Sequence, residues 1–320
     1  MRENYDRNRA EEKIKNFYVE NPYPNFEAKP KKMRSFLYPY LDDINRKQEE
    51  VAFLDAGCGT GHTIVRVAMD YPEFECYGID LSKKSIEISK KLAQRYKVNV
   101  RFSCGSYAEQ LPFERKFDFI YCSGTIHHNA EPAIAVRNLL SNLKDDGLIF
   151  IHLYGEKSNS NRMRKKSILN ILEPDLNNRT ERFRLYNELV KHERRSIFYV
   201  LRTTTLTDVW RLLKYKKREL YRTIKGIPQQ DTVLKELSTE FVDAYCHPLE
   251  KTYNVNDVKQ LADDSGLEVI EMFGLGKEVM KFLPDKWKEK YSTLDKWSKW
   301  SLFELLLISN SSVHLLGKKK

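Results

Sequence analysis

The seven residues Asp55-Ala56-Gly57-Cys58-Gly59-Thr60-Gly61 and a carboxylate further on, Asp80, are of the types and spacing that suit chemistry on a bound ligand. Glycines at alternate positions make a turn without Cβ atoms, so the backbone can bend tightly and meet a ligand directly. The spacing is G-x-G-x-G. His62 stands where the dinucleotide fingerprint would place its third glycine, which argues against a pyrophosphate ligand and a nicotinamide oxidoreductase. Asp80 closes the next apolar run, where a carboxylate is suited to accept both hydroxyls of a ribose, and Leu81 beside it can pack on a purine. The competing reading makes Asp80 a plain helix N-terminal residue before Ser82 and Lys83. A glycine turn one strand earlier favours the ligand.

These groups need a scaffold that brings two strand ends together. From Val51, the runs VAFLDA, CYGIDL, VNVRFSCG, FDFIYCSG and GLIFIHLY alternate with the helical stretches HTIVRVAMDY, KSIEISKKLAQRY and EPAIAVRNLLSNL. Near-continuous apolar strands separated by helices mark a parallel sheet covered on both faces. The rhythm resumes with a helix from Asn254 to Gly266, then LEVIEMFG and SSVHLLGKKK as strands. The predicted fold class is α/β: a seven-stranded, doubly wound, mostly parallel sheet with helices on both faces. Residues 1–50 read as an N-terminal helical lid, broken at Asn21-Pro22-Tyr23-Pro24, with a second helix around Met33 to Asn45. Residues 51–154 and 246–320 form the core, and 155–245 a basic helical insertion after strand five that covers the substrate.

A length of 320 residues with 41% hydrophobic content allows one large α/β domain with insertions or two small domains. No run approaches the roughly 18 to 20 apolar residues that span a bilayer. The charged start MRENYDRNRAEEK has no signal-peptide segment, so the expected location is cytoplasmic. Five cysteines without a C-x-x-C pair indicate neither a disulfide framework nor a zinc site, and no metal is expected. The net charge is +10, and residues 155–230 hold 19 Lys/Arg against 8 Asp/Glu, so the basic character belongs to the insertion.

The segment VAFLDAGCGTGHTIVRVA resembles motif I, and CYGIDLS motif II, of the class I, seven-stranded S-adenosylmethionine-dependent methyltransferases. FSCGSYAEQLPF, FDFIYCSGTIHHNAEP and LKDDGLIFIHLY are similar to that family's segments after strand three, at strand four and at strand five. The likeness covers 51–154 and resumes over 254–317. FYVENPYPNF also looks like a bacterial subgroup with an Asn-Pro-Tyr-Pro segment before motif I. The resemblance implies S-adenosyl-L-methionine as cofactor and S-adenosylhomocysteine as product. It implies that Gly57, Gly59 and Gly61, with Cys58 in the same turn, line the methionine moiety. Asp55 orients the amino group, Asp80 holds the ribose and Leu81 contacts adenine. Where the family carries an acidic residue near the adenine amino group, this chain has Ser106 and Tyr107, with Glu109 two residues on. Ser106 is then the candidate hydrogen-bond acceptor and Tyr107 the candidate stacking ring. Ser123, at the tip of strand four, completes the cofactor-facing set.

Methyl transfer from a sulfonium is an in-line displacement, in which the protein mainly aligns the nucleophile and, where necessary, removes its proton. The acceptor belongs above the ends of strands four and five, among Ser123 to His128 and Tyr154. His127 or His128 is a candidate general base; the alternative is a pair that fixes the loop and caps the next helix. His247 has the same two readings, pocket residue or turn residue. Phe17, Tyr18, Tyr23 and Phe26 suit a lid over the cofactor mouth. In the insertion, Arg162, Arg164, Lys165, Lys166, Arg194, Arg195, Lys214, Lys216, Lys217 and Arg218 offer an anionic partner a groove, or form solvated helix faces. No nucleic-acid module accompanies them. KWSKWSLFELLLIS reads as an excursion between the last two strands, with peripheral membrane contact as the alternative. The expected function is methyl transfer to O, N or C of a small metabolite or carrier-bound intermediate. The rivals are an RNA or protein methyltransferase that uses the insertion, and a non-catalytic cofactor-binding module.

Overall fold

The computed structural model describes residues 12–14, 16–18, 20, 22–24, 29–195, 237–275, 283–306 and 312–320. The strands are β1 Ala52–Ala56, β2 Glu75–Asp80, β3 Val100–Cys104, β4 Phe117–Ser123, β5 Leu143–Leu153, β6 Leu267–Phe273 and β7 Val313–Lys319. The helices among the described residues are α1 Tyr38–Lys47, α2 His62–Asp70, α3 Lys83–Tyr96, α4 Pro132–Ser141, α5 Glu156–Leu172, α6 Arg179–Arg195, α7 Thr239–Cys246, α8 Val255–Ser265, α9 Asp285–Thr293 and α10 Lys296–Leu306. The seven strands form one sheet in the order β3-β2-β1-β4-β5-β7-β6, parallel except for β7, which runs antiparallel to both neighbours. The expected fold class is therefore the observed one.

Alternation along the strands sends residues to two buried faces. Phe53, Phe119, Tyr121, Phe150 and Leu316 pack with Leu41, Ile64 and Ile86 on one side, and Leu54, Ile120, Ile149 and Leu315 with Leu139 and Leu261 on the other. Phe53 stacks on Phe119 at 5.5 Å, and Tyr121 on Phe150 at 5.2 Å. In the excursion between β6 and β7, Trp300 and Phe303 are buried in the second of these clusters, while Leu305 stays exposed. No helix among the described residues is long and apolar enough to cross a membrane.

The helix expected around Met33 begins later than the apolar pattern suggested. Residues 31–34 are non-helical, Ser35–Leu37 form a 3-10 turn, and α1 starts at Tyr38 with Pro39 in its first turn. Proline fits a first helical turn because its missing N–H has no intrahelical partner there. This non-helical stretch reaches the start of α2, after the β1 loop, where Lys31 N donates to His62 O at 3.0 Å.

The strand that carries Asp55 is held from below by Asp118. Asp118 Oδ2 accepts from Ala52 N at 2.8 Å, and Oδ1 from Lys144 Nζ at 2.7 Å, with the carboxylate itself buried. Asp118→Ala leaves the Ala52 N–H without its acceptor and the half-buried Lys144 ammonium without its charged partner, with only Gln48 Oε1 at 3.4 Å remaining to it. The expected loss is about 2 kcal/mol of unfolding free energy, read by urea denaturation; a loss within experimental error contradicts this anchoring role.

The chain divides into two compact units, Met1–Asn161 with Pro248–Lys320, and Arg162–His247. Within the second, Phe183 and Tyr186 meet Phe241 edge-on at 5.1 and 5.3 Å. The wholly buried Arg182 donates to Asn170 Oδ1 and the Tyr245 carbonyl, each at 2.7 Å. Several of its cations are engaged internally. Arg164 and Lys165 both pair with Glu193, and Lys166 is buried. Lys214, Lys216, Lys217 and Arg218, like the side chains of Arg194 and Arg195, lie outside the described residues.

Candidate active site

The parallel register Ala56↔Ile79 puts the loop after β1 against the tip of β2. Gly57 N and Cys58 N both donate to the Ile79 carbonyl, at 2.8 and 3.0 Å, and Gly61 N donates to Cys58 O at 2.9 Å. Gly57 and Gly59 have φ of +79° and +52°. A Cβ on Gly57 would lie 2.4 Å from Thr125 Cγ2, and one on Gly59 would lie 2.3 Å from the Tyr23 carbonyl oxygen. Both positions thus require glycine for space as well as for dihedral freedom. Asp80 completes the loop: its Oδ2 accepts from Gly59 N and its Oδ1 from Ser82 N, each at 2.9 Å. The carboxylate predicted to share a ligand with the glycine turn is in direct contact with it.

Burial raises the Asp80 carboxyl above its ordinary value, while the N–H groups of Ser82 and Gly59 pull it back. Asp55, 3% exposed, takes no side-chain hydrogen bond among the described residues. Burial and then the charge of Asp80 push its carboxyl up to about 8. Burial, then Asp80 and Asp55, likewise push the Cys58 thiol up, which keeps it protonated and unreactive. A buried acid without a donor, a second acid and a Cβ-free turn together have the chemistry that suits a ligand carrying both positive charge and hydroxyl groups.

The N-terminal segment lies on this loop. Thr60 N donates to Tyr23 O at 3.2 Å, and Thr60 Oγ1 to Pro24 O at 2.9 Å. His62 Nδ1 lies 3.2 Å from Lys29 O, and the Ser82 hydroxyl donates to Tyr18 O at 3.1 Å while capping α3. Sequence reasoning missed Thr60, His62 and Ser82 as the residues that clasp this segment. All three are buried polar side chains that flank the glycine turn and Asp80, and their partners lie more than 30 residues away in the N-terminal segment, beyond the reach of any local pattern. Asn21 and Phe26 lie outside the described residues.

The remaining sequence candidates separate. Leu81 is half-buried beside Asp80. The Ser106 hydroxyl accepts from Ala108 N at 3.1 Å, so it shapes its own turn. Tyr107 is buried in the core with its hydroxyl toward Thr125 and Asn129, so its ring is not an open stacking face. Ser123 Oγ sits 3.3 Å from His152 Nδ1, on the side of β5 rather than of β1. His127 and His128 form a buried 3-10 turn. His128 Nδ1 lies 2.8 Å from Leu249 O, Lys251 N donates to His127 O at 2.9 Å, and the His127 ring packs on Tyr154 at 3.7 Å. These contacts tie the turn to residues 249–251 and to Tyr154. His247, also buried, ends α7 in the second unit.

A family model described as a methyltransferase domain matches residues 47–225. An uncharacterized protein of Synechococcus is 26% identical over 263 residues, covering 79% of this chain and 56% of its own length. A malonyl-[acyl-carrier protein] O-methyltransferase of Bacillus anthracis is 27% identical over 136 residues, 42% of this chain and 49% of its own. The chain therefore spans about half the length of these curated relatives. Among solved structures, PKMT2 from Rickettsia typhi in complex with AdoHcy aligns with a TM-score of 0.64 at 19% identity, over 93% of this chain and 55% of that one; the likeness is one of fold.

Proposed function

The chain belongs to the methyltransferase-domain family, and from that premise we propose that it binds S-adenosyl-L-methionine between Gly57–Gly61 and Asp80 and transfers methyl to a small or carrier-bound acceptor. The observation that carries the reading is the Asp80–Gly59 hydrogen bond beside the buried, donorless Asp55. Asp80 takes the ribose hydroxyls, Asp55 answers the positive charge of the amino-acid end, and Gly57, Cys58, Gly59 and Gly61 leave room for it. Leu81 contacts the adenine. The bound cofactor supplies a methyl group on a cationic sulfur, already activated for transfer. The clasped N-terminal segment acts as a cover over this cradle. His127 and His128 hold the loop below the acceptor, and His127 in particular is wholly buried. The carrier-bound acceptor class is supported by the malonyl-[acyl-carrier protein] relative.

Isothermal titration tests the reading. One site per chain is expected for both S-adenosylmethionine and S-adenosylhomocysteine, with affinity of about 1–100 μM, or about 5.5–8 kcal/mol. Absence of binding by both overturns it. Incubation of the protein with cell extract and methyl-labelled cofactor then identifies the acceptor by the mass that gains label.

A further inference from the structure

His152 and His314 stand directly opposite one another across the antiparallel β5–β7 ladder, with ring centroids 4.6 Å apart and planes within 21° of parallel. Inward positions on a central sheet ordinarily carry apolar side chains, as Phe150 and Leu316 do on the same face. His152 is 9% exposed and lies with Nδ1 at 3.3 Å from Ser123 Oγ. Its Nε2, like that of His314, meets no hydrogen-bond partner among the described residues. Buried polar atoms without partners are uncommon and costly, so two on adjacent strands call for an occupant. His152 is also the penultimate residue of β5, at the carboxyl end where ligands of open α/β sheets bind. One strand away, beyond β4, Thr125 lies against Gly57.

Charge decides what kind of occupant fits. Burial, the neighbouring imidazole, Arg34 and Lys31 hold His152 down to about 3; burial and Arg34 hold His314 to about 4. Both rings are therefore neutral near pH 7, and each has one N–H to donate. Arg34 and Lys31 sit on the non-helical stretch before α1, are exposed, and make no ion pair among the described residues. The charges of Arg34 and Lys31 repel a cationic ligand and attract an anion, to which the neutral rings can donate. Phe36, edge-on to His314 at 5.8 Å, walls the pair with apolar surface, which strengthens any charge interaction made there.

We propose that His152, His314 and Ser123, with Arg34 and Lys31, form a binding subsite for a carboxylate group of the methyl acceptor. The inference rests on the methyl-transfer reading for the identity of the ligand, and on the histidine pair for its position.

Malonate serves as the probe and the uncharged malonamide as its control, on the full chain with and without S-adenosylhomocysteine. Imidazole signals of His152 and His314 are assigned by His152→Phe and His314→Phe and followed by NMR. Malonate should shift both signals saturably, and malonamide should not. Joint Arg34→Gln and Lys31→Gln replacement should weaken malonate at least tenfold, an effect that a purely structural histidine pair would not produce. Equal response to the two probes, or no malonate response in a sample that binds S-adenosylhomocysteine, overturns the subsite. A malonate response in protein that binds no S-adenosylhomocysteine supports the subsite and removes the methyl-transfer reading instead.

Discussion

Asp80→Ala should bind S-adenosylmethionine about 100-fold more weakly than the natural chain, with the fold intact. A carboxylate facing two vicinal hydroxyls makes two charge-assisted hydrogen bonds, each worth about 1.5–3 kcal/mol when the partner is otherwise left unpaired. Water recovers part of this at a partly exposed mouth. A net loss of about 3 kcal/mol is then reasonable, which corresponds to about 100-fold in affinity. The same carboxylate also accepts from Gly59 N and Ser82 N, so its removal loosens the turn as well as the ribose contact. Asp80→Asn separates the two effects, since it keeps the shape and one neutral acceptor; its loss should be nearer tenfold. Isothermal titration gives the affinities, and far-UV circular dichroism checks the fold. Binding by Asp80→Ala within threefold of the natural chain would remove Asp80 from the site.

Much of this was legible because the relevant signals are local. A glycine turn after one apolar run and an acid after the next fix a meeting point once the runs are read as adjacent parallel strands, and Ile79 O bonded to Gly57 N is that meeting. The central strands were readable for the same reason, since strands buried on both faces, as β1 and β4 are, print as nearly unbroken apolar runs. What escaped depends on contacts distant in sequence. Ser123 is the last residue of β4, and its contact with His152, 29 residues away, follows from the β4–β5 register, which its local sequence does not encode. His314 pairs with His152 only because β7 inserts antiparallel between β5 and β6, a register that no local pattern encodes. Tyr107 was expected at the ligand because of its loop, but its ring has more apolar surface to bury below, beside Ile126 and Ala135 in the same cluster. The late start of α1 is a helix boundary that mattered: the apolar pattern puts Met33 and Arg34 in the helix, and instead they stay non-helical, with Arg34 acting on the histidine pair.

Asp55→Asn should make the unliganded protein more stable and the cofactor bind less well, with both effects growing as pH rises. In the folded chain the Asp55 carboxyl is pushed up to about 8 by burial and by Asp80, whereas in the unfolded chain it ionises near its ordinary value of about 4. Below about pH 4 both states hold the proton, and the group contributes nothing. Between about 4 and 8 the unfolded state ionises while the folded state keeps its proton, so stability falls as pH rises; above about 8 the penalty is full and constant. Asparagine keeps the neutral form at every pH. The variant should therefore exceed the natural chain by on the order of 2–4 kcal/mol in unfolding free energy at pH 8, with the gap closing toward pH 5. A ligand's positive charge beside Asp55 favours the ionised form, so binding near pH 7 should release a proton and tighten with pH in the natural chain. Titration in two buffers of different ionisation enthalpy counts that proton, and the variant should release none from this position. Urea unfolding at pH 5.5 and 8 measures the stability gap. An Asp55→Asn protein no more stable than the natural chain at pH 8 would mean that the buried acid is neutralised by some group other than the ligand. If the gap is found, the strain of an uncompensated acid in the unliganded protein is what makes the site selective for a cation, because an ionised Asp55 is stable in the folded chain only with positive charge beside it.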